Sequence, residues 1–360
     1  MSTRENVLKA LEENKGSAVS GEDLANRLNI SRAAVWKAIQ ELRKEGYRVD
    51  AITNKGYSLA RDSDVLSAEG ILPYLTRDSM AGLVHVFKSV ESTNLAAKKM
   101  ALDGAAAGTV VIAQEQTKGR GRMGRSFFSP PAGGIYMSFI LRPGLGNAAS
   151  VLITTAASVA VCKAIEAVTG ISCGIKWVND IYKGKKKVCG ILTEAATDFE
   201  SGRIDYIVLG IGINYNTPQA AFPAELAGVA GSLFEGAPEN VGNTALRERN
   251  EQGCAGNFAE GRRGGATRNQ LIAEIISQVL DIGDKLETRE FIREYKARSI
   301  VLGKEILIIP IAGPNRDRNV TEGIPAVAVD IDEDGGLVVR HPDGALETLK
   351  SGEISIRTRN

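Results

Sequence analysis

Apolar residues recur along this chain first at helical spacing and then in short β-branched runs. From Arg4 to Glu13, Val7, Leu8 and Leu11 share one helical face, and the pattern breaks at Gly16-Ser17. Ser20 can cap a short helix, with Asp23 three residues on and Leu24, Ala25 and Leu28 as its apolar face. Ser31 can cap a second helix, Arg32 to Lys44, that turns Ala34, Val35, Ala38, Ile39 and Leu42 inward. Two short helices meeting at Asn29-Ile30 predict a helix-turn-helix. Residues 46–52 and 57–59 then predict a β-hairpin whose tip carries Lys55. Residues 1–61 thus read as a winged helix-turn-helix domain, followed by a linker at 62–82 with a short helix capped by Ser67.

From residue 83 strands and helices mix. Val84–Phe87, Val110–Ala113, Ile135–Leu141, Val188–Glu194 and Tyr206–Asn214 are strand-like, Leu95–Asp103 is a helix ending at Gly104, and Ala148–Thr169 is a long, apolar helix that belongs in a core. Residues 237–269 are rich in Gly, Asn, Arg and Glu and offer little to bury, which predicts a loop insertion. Two helices, 270–286 and 289–298, close a domain spanning 83–300. Short strands separated by Gly, Asp and Pro turns follow over 301–360 and predict a small barrel. The fold class is α/β in the α+β sense.

Composition narrows the function. A formal net charge of +1 over 360 residues excludes a chain coated in nucleic acid, so DNA contact must come from a local patch. Residues 1–61 carry eleven Lys/Arg against eight Asp/Glu, a net of 11 − 8 = +3. In the second helix Ser31, Arg32, Trp36, Lys37 and Gln40 are candidates for a DNA-facing surface, with Lys55 from the hairpin tip. A winged helix used only for protein contacts stays open. No run reaches membrane-span length and no signal core opens the chain, so a cytoplasmic protein without membrane contact is expected. Cys162, Cys173, Cys189 and Cys254 form no C-x-x-C pair and read as free buried thiols, and no metal site built from protein side chains is called.

Candidate chemistry centres on Gly119-Arg120-Gly121-Arg122-Met123-Gly124-Arg125, three arginines and three glycines in seven residues. Glycines allow close backbone approach and arginine forks take phosphate or carboxylate oxygens in pairs, so the stretch suits an anionic ligand; a solvated basic loop is the alternative. It matches G-x-G-x-x-G literally. A dinucleotide fold needs a helix to open there, however, and Pro130, Pro131, Gly133 and Gly134 lead into a strand instead, which excludes that reading. Lys176, at a strand end beside Ile175 and Trp177, can act as a fixed charge on a developing oxyanion or can simply blunt an edge strand.

Six motifs occur in order: Ser92-Thr93-Asn94, the glycine–arginine loop, Lys176-Trp177-Val178-Asn179-Asp180, Lys187-Val188-Cys189-Gly190-Ile191-Leu192, Gly210-Ile211-Gly212-Ile213-Asn214 and Ser351–Arg357. With these, the sequence resembles, nearly end to end, the bifunctional biotin–protein ligases that also repress biotin operons. The resemblance implies a class II synthetase-like ligase core and a C-terminal SH3-like barrel. It implies that biotin and Mg-ATP, with Mg2+ as cofactor, give biotinyl-5′-adenylate and pyrophosphate, and that a lysine of a biotin carboxyl carrier protein then takes the biotinyl group. Catalysis would fall to Lys176, Arg120 and Arg122. Biotin would lie among Ser92, Thr93, Asn94, Gln116, Gly119, Arg120, Gly121, Arg122, Lys176, Gly190 and Ile191. ATP and the adenylate would meet Arg122, Phe127, Lys176, Asn179, Lys187 and Asn214.

Three positions depart from the family's commonest pattern: Phe127 stands for tryptophan, Met123 for arginine and Val178 for proline. Phe127 keeps an aromatic wall and loses an indole N–H donor. One winged-helix domain reads too few base pairs to select an operator, so a homodimer on two-fold operator DNA is expected, with biotinyl-5′-AMP as corepressor. The alternative is a ligand-sensing transcription regulator without ligase activity. A lipoate-type acyl ligase shares the core but does not normally bring a winged helix.

Overall fold

The computed structural model describes residues 2–75, 80, 82–142, 149–197, 204–234, 266–310, 323–350 and 354–358. It divides into two compact units, Met1–Val86 with Gly242–Ser277, and Phe87–Val241 with Gln278–Asn360.

The first unit holds α1 (Thr3–Glu13), β1 (Ala18–Val19), α2 (Gly21–Leu28), α3 (Arg32–Lys44), β2 (Val49–Ile52) and β3 (Gly56–Leu59), with a short α4 (Ala68–Ile71). The caps act as their residue types require: Ser20 Oγ accepts from the amides of Glu22 and Asp23, and Ser31 Oγ from that of Ala34. Asn29 ends α2 in the left-handed region, φ 51°, which turns the chain into α3. The strands pair in the order β1-β3-β2, so the wing gains a third strand that periodicity does not reveal in a two-residue stretch. Val7, Leu8, Leu11, Leu24, Val35, Ile39, Leu42 and Leu59 are buried together beneath it.

Residues 62–75 pack within this unit rather than running free of it. Lys15 Nζ donates to Ser63 O at 2.8 Å, and Arg268 Nε to Asp64 Oδ2 at 2.7 Å. Arg268 opens α8 (Arg268–Asp284), two residues before the sequence-based start at 270, and is nearly buried. Residues 237–265 of the expected insertion, and Cys254 with them, lie outside the described residues.

The second unit is built on a seven-stranded sheet in the order β4-β5-β6-β10-β9-β8-β7. Its strands are β4 (Val84–Val90), β5 (Val110–Gln116), β6 (Gly134–Leu141), β7 (Gly174–Lys176), β8 (Asp180–Lys183), β9 (Lys186–Thr197) and β10 (Ile204–Asn214). Helix α5 (Thr93–Leu102) buries Ala97 and Ala101 with Val111, Ile140 and Val208 on one face. Helix α6 (Ala149–Thr169) docks on the other, where Thr154 Oγ1 lies 2.6 Å from Thr193 Oγ1. By length and composition Ser150–Thr169 is apolar enough to cross a membrane, which corrects the expectation that no run is; its side chains are mostly buried by protein. Its hydroxyls return to the helix, as Ser158 Oγ donating to Thr154 O shows.

A short α7 (Ala224–Ala227) follows β10, and α9 (Phe291–Arg298) packs on α6. The C-terminal strands β11 (Glu305–Pro310), β12 (Ile324–Ile331), β13 (Leu337–Arg340), β14 (Leu346–Leu349) and β15 (Ile354–Thr358) make a five-stranded antiparallel sheet, β14-β13-β12-β11-β15. Its last strand comes from the Ser351–Arg357 motif, which the sequence alone does not mark as a strand. Gly335, φ 84°, ends the β12–β13 turn against the core: its carbonyl accepts from Trp177 Nε1 at 2.8 Å, and a Cβ there would meet Thr155 at 2.9 Å. The hairpin loop at 313–316 lies outside the described residues.

Candidate active site

Strand register assembles the site. Lys176 pairs with Asp180, Asp180 with Gly190, Gly190 with Gly212, Gly212 with Tyr136 and Tyr136 with Ala113. Residues paired directly across antiparallel strands share a face, so this row runs along one side of the sheet. From Lys176 to Gly212 is three strand spacings, about 14 Å. A parallel row two residues along holds Leu192, Gly210 and Ser138.

The glycines in these rows are seats for other groups. A Cβ on Gly212 would stand 2.7 Å from Phe127 Cε1 and Cζ, and one on Gly190 would meet Lys187 Cε at 3.2 Å and Phe127 Cε2 at 3.5 Å. At Gly210 the Asn94 amide takes that space. The alternate glycines of β10 thus let an aromatic ring and an amide lie on the sheet. Phe127 also meets Tyr136 edge-on, with centroids 6.4 Å apart.

Above this floor a pocket is lined by Ser92, Thr93, Asn94, Gln116, Arg120, Phe127, Gly190, Leu192, Gly210, Ile211 and Gly212. Its polar wall is a relay. Gln116 Oε1 accepts from the Thr93 amide at 2.8 Å and from Thr93 Oγ1 at 3.2 Å. Gln116 Nε2 donates to Ser129 Oγ at 2.8 Å, and Ser129 Oγ donates to Phe127 O at 2.9 Å. Ser138 Oγ lies 2.8 Å from Thr93 Oγ1 and 2.7 Å from Asn94 Oδ1. The loop between β5 and β6 is therefore tied to the start of α5. A Cβ on Gly119 would strike Ser129 Oγ and Phe127 O, so this loop glycine serves packing as well as freedom; Met123 sits in the left-handed region at φ 59°.

Beside the pocket, Arg122 NH1 donates to Asn179 Oδ1 at 3.1 Å, and Asn179 Nδ2 donates to Ile191 O at 2.8 Å. Burial, and secondarily the Arg125 charge, pull the Arg122 pKa below its ordinary value, against the Asp180 carboxylate. Lys187 Nζ is 2.6 Å from Asp180 Oδ1. Lys176 closes the row on β7, and its loop is pinned by Tyr295 OH donating to Val178 O at 3.2 Å and by the Trp177–Gly335 hydrogen bond.

Neither Ile191 nor Asn214 lines the pocket. Ile191 pairs with Ile211, out of phase with Gly190 and Gly212, so its side chain turns to the opposite face. Asn214 is buried, with Nδ2 donating to Gly231 O at 3.1 Å, so it braces the segment after β10. Gly119, Gly121, Arg122 and Lys176 do not line the pocket, whereas Arg120 between the two glycines does. On α3, Arg32, Trp36 and Lys37 are exposed, as is Lys55 on the wing, whereas Gln40 is half-buried and Ser31 caps its own helix. Trp36 is 57% exposed, so its ring is not taken up by the core.

Sequence-family comparison matches residues 86–214 to the Biotin/lipoate A/B protein ligase family, 3–58 to an HTH domain and 316–357 to the Biotin protein ligase C terminal domain. The bifunctional ligase/repressor BirA of Bacillus spizizenii is 40% identical over 66% of this chain and 73% of its own length. This chain belongs to the BirA-type bifunctional biotin ligase/repressor family. Membership agrees with the BirA of Escherichia coli, 28% identical over 95% of this chain and 94% of its own length. A solved biotin protein ligase from Aquifex aeolicus in complex with biotin and ATP superposes with a TM-score of 0.56 and 26% identity, covering 77% of this chain and 99% of that one. As in the family, an N-terminal HTH precedes a mixed-sheet ligase core and a β-rich C-terminal domain. No comparison favours a regulator that lacks the ligase.

Residues that surround the pocket without lining it, and that the sequence reading missed, are Asp180, Ser129, Ser138, Tyr295, Lys98 and Glu194. Two carried a readable signal: Ser138 and Glu194 lie on strands at even spacing from recognised site glycines or their partners, hence on the site face.

Proposed function

We propose that this chain is an ATP-dependent biotin–protein ligase and DNA-binding repressor, and that the pocket over Gly190, Gly210 and Gly212 forms biotinyl-5′-adenylate. The observation that carries it is the pocket wall itself. Apolar floor, uncharged donors and acceptors from Ser92, Thr93, Asn94 and Gln116, and one arginine fit a molecule with an apolar body, a neutral polar head and a carboxylate.

In this reading Thr93 and Gln116 orient the ureido head, and Phe127 covers the apolar body. Arg120 neutralises the carboxylate as a second anion is brought up, which removes the repulsion that keeps two anions apart in water. Arg122, Asn179 and Lys187 hold the nucleotide. Lys176 places positive charge where negative charge builds on the α-phosphate in the transition state. Mg2+ arrives on the triphosphate: among the described residues no cluster of three or more His, Cys, Asp or Glu side chains forms a metal site, and Asp180, the carboxylate nearest Arg122 and Lys187, is already engaged by Lys187. Bound, it would supply charge neutralisation at the phosphates.

The adenylate then passes biotin to a lysine of a carrier protein. Operator binding uses the exposed face of α3 and the wing in a homodimer that the adenylate promotes. Incubation with biotin, ATP, magnesium and a purified biotin carboxyl carrier domain tests the transfer. Biotinylation of one carrier lysine by mass spectrometry is expected, and an unmodified carrier in the presence of accumulated adenylate would contradict it.

A further inference from the structure

Glu194 lies on β9 four residues beyond Gly190 and on the same face, and three groups from two other elements meet its carboxylate. Asn94 Nδ2 donates to Oε2 at 2.7 Å, Lys98 Nζ donates to Oε1 at 2.7 Å, and Arg120 NH1 stands 3.7 Å from that same Oε1. Asn94 and Lys98 are one turn apart on α5, so a single helix face delivers both.

The carboxylate stays charged near neutrality. Burial pushes its pKa up, but hydrogen bonds from Lys98 and Asn94, with the charges of Lys98 and Arg120, outweigh that and hold it below its ordinary value. An ionised carboxylate beside the pocket's arginine competes with any anionic ligand for that arginine. Lys98 shifts the competition. It takes Oε1 by direct hydrogen bond and leaves Arg120 a longer ion pair, so the trio of two cations and one anion keeps net positive charge facing the pocket.

Resting on the biotin-adenylating reading of the pocket, we propose that Glu194 and Lys98 are positioning residues for Arg120. Glu194 holds the guanidinium at the pocket wall when no ligand is bound, and Lys98 keeps that hold loose enough for a ligand carboxylate to displace it. The strength of biotin binding is thereby set by a lysine that does not line the pocket.

The test is a double-mutant cycle on the full-length chain, read as KM for biotin and kcat in biotin-dependent pyrophosphate release. Lys98→Met is expected to raise KM about fivefold, with kcat changed by less than about twofold, because a partly exposed ion pair is strengthened. In a Glu194→Gln background, where an amide oxygen still accepts from Asn94, the same Lys98→Met change should leave KM within about twofold. Lys98→Arg should restore the wild-type KM, which a folding defect at position 98 would not explain. An equal Lys98→Met effect in both backgrounds, no effect in either, or an effect confined to kcat overturns the proposal. A wild-type chain that releases no pyrophosphate would instead overturn the adenylation reading itself.

Discussion

The ring of Phe127 rests on the backbone of Gly212, where a β-carbon would come 2.7 Å from two ring carbons. The loop that carries the arginines is thus seated by an aromatic residue on a glycine of the central sheet. Gly212→Ala should lift the ring, with overpacking strain of about 1–3 kcal/mol, and weaken biotin binding at least about fivefold. Isothermal titration checks it, with Gly228→Ala as the control, since Gly228 faces open space at negative φ.

Lys176 ends a strand whose register places it on the row of Asp180, Gly190 and Gly212. Lys176→Ala should lower kcat for adenylate formation about 10²- to 10³-fold while biotin affinity changes little, because its charge acts where charge develops. Single-turnover kinetics beside equilibrium binding separates the two.

Arg32 and Lys37 are exposed on α3, a helix that Ser31 caps and that Val35, Ile39 and Leu42 anchor in the core. Replacing either with alanine should weaken operator binding and lower the salt dependence, the slope of log K against log salt, by about 1. Gel shifts across a salt series check it, and an unchanged slope would move the DNA-facing surface elsewhere.

Glu12 is buried on α1 with Lys15 Nζ at 3.0 Å. Burial raises its pKa above the ordinary 4.5, against the pull of Lys15. The folded state therefore holds this proton more tightly than the unfolded one. Its contribution is fully present below the unfolded value and is lost as pH rises from there through the folded value. Glu12→Gln should flatten that part of the stability–pH curve, measured by urea unfolding from pH 4 to 8.

The elements readable in advance were those with a local cause. Ser20 and Ser31 specify caps, Asn29 a turn, and the even spacing of Gly210 and Gly212 a strand face open to something larger than hydrogen. The missed parts depend on contacts distant in sequence. The two-residue β1 exists only because β3 offers an edge, and Arg268 is defined by Asp64, 204 residues away. Arg120 and Phe127 stand out as a motif, but Glu194 and Lys98 matter only once α5 docks on the sheet and its side chains reach β9. Ile191, beside Gly190 in sequence, turns its side chain to the other side of the sheet because strand side chains alternate.

The central claim is that this pocket joins biotin to AMP, and incubating the full-length chain with biotin, ATP and magnesium tests it most directly. Chromatography with mass spectrometry should detect biotinyl-5′-adenylate and an equal amount of pyrophosphate, both dependent on biotin and both strongly reduced in Lys176→Ala. Binding of biotin with no adenylate and no pyrophosphate released would contradict the account.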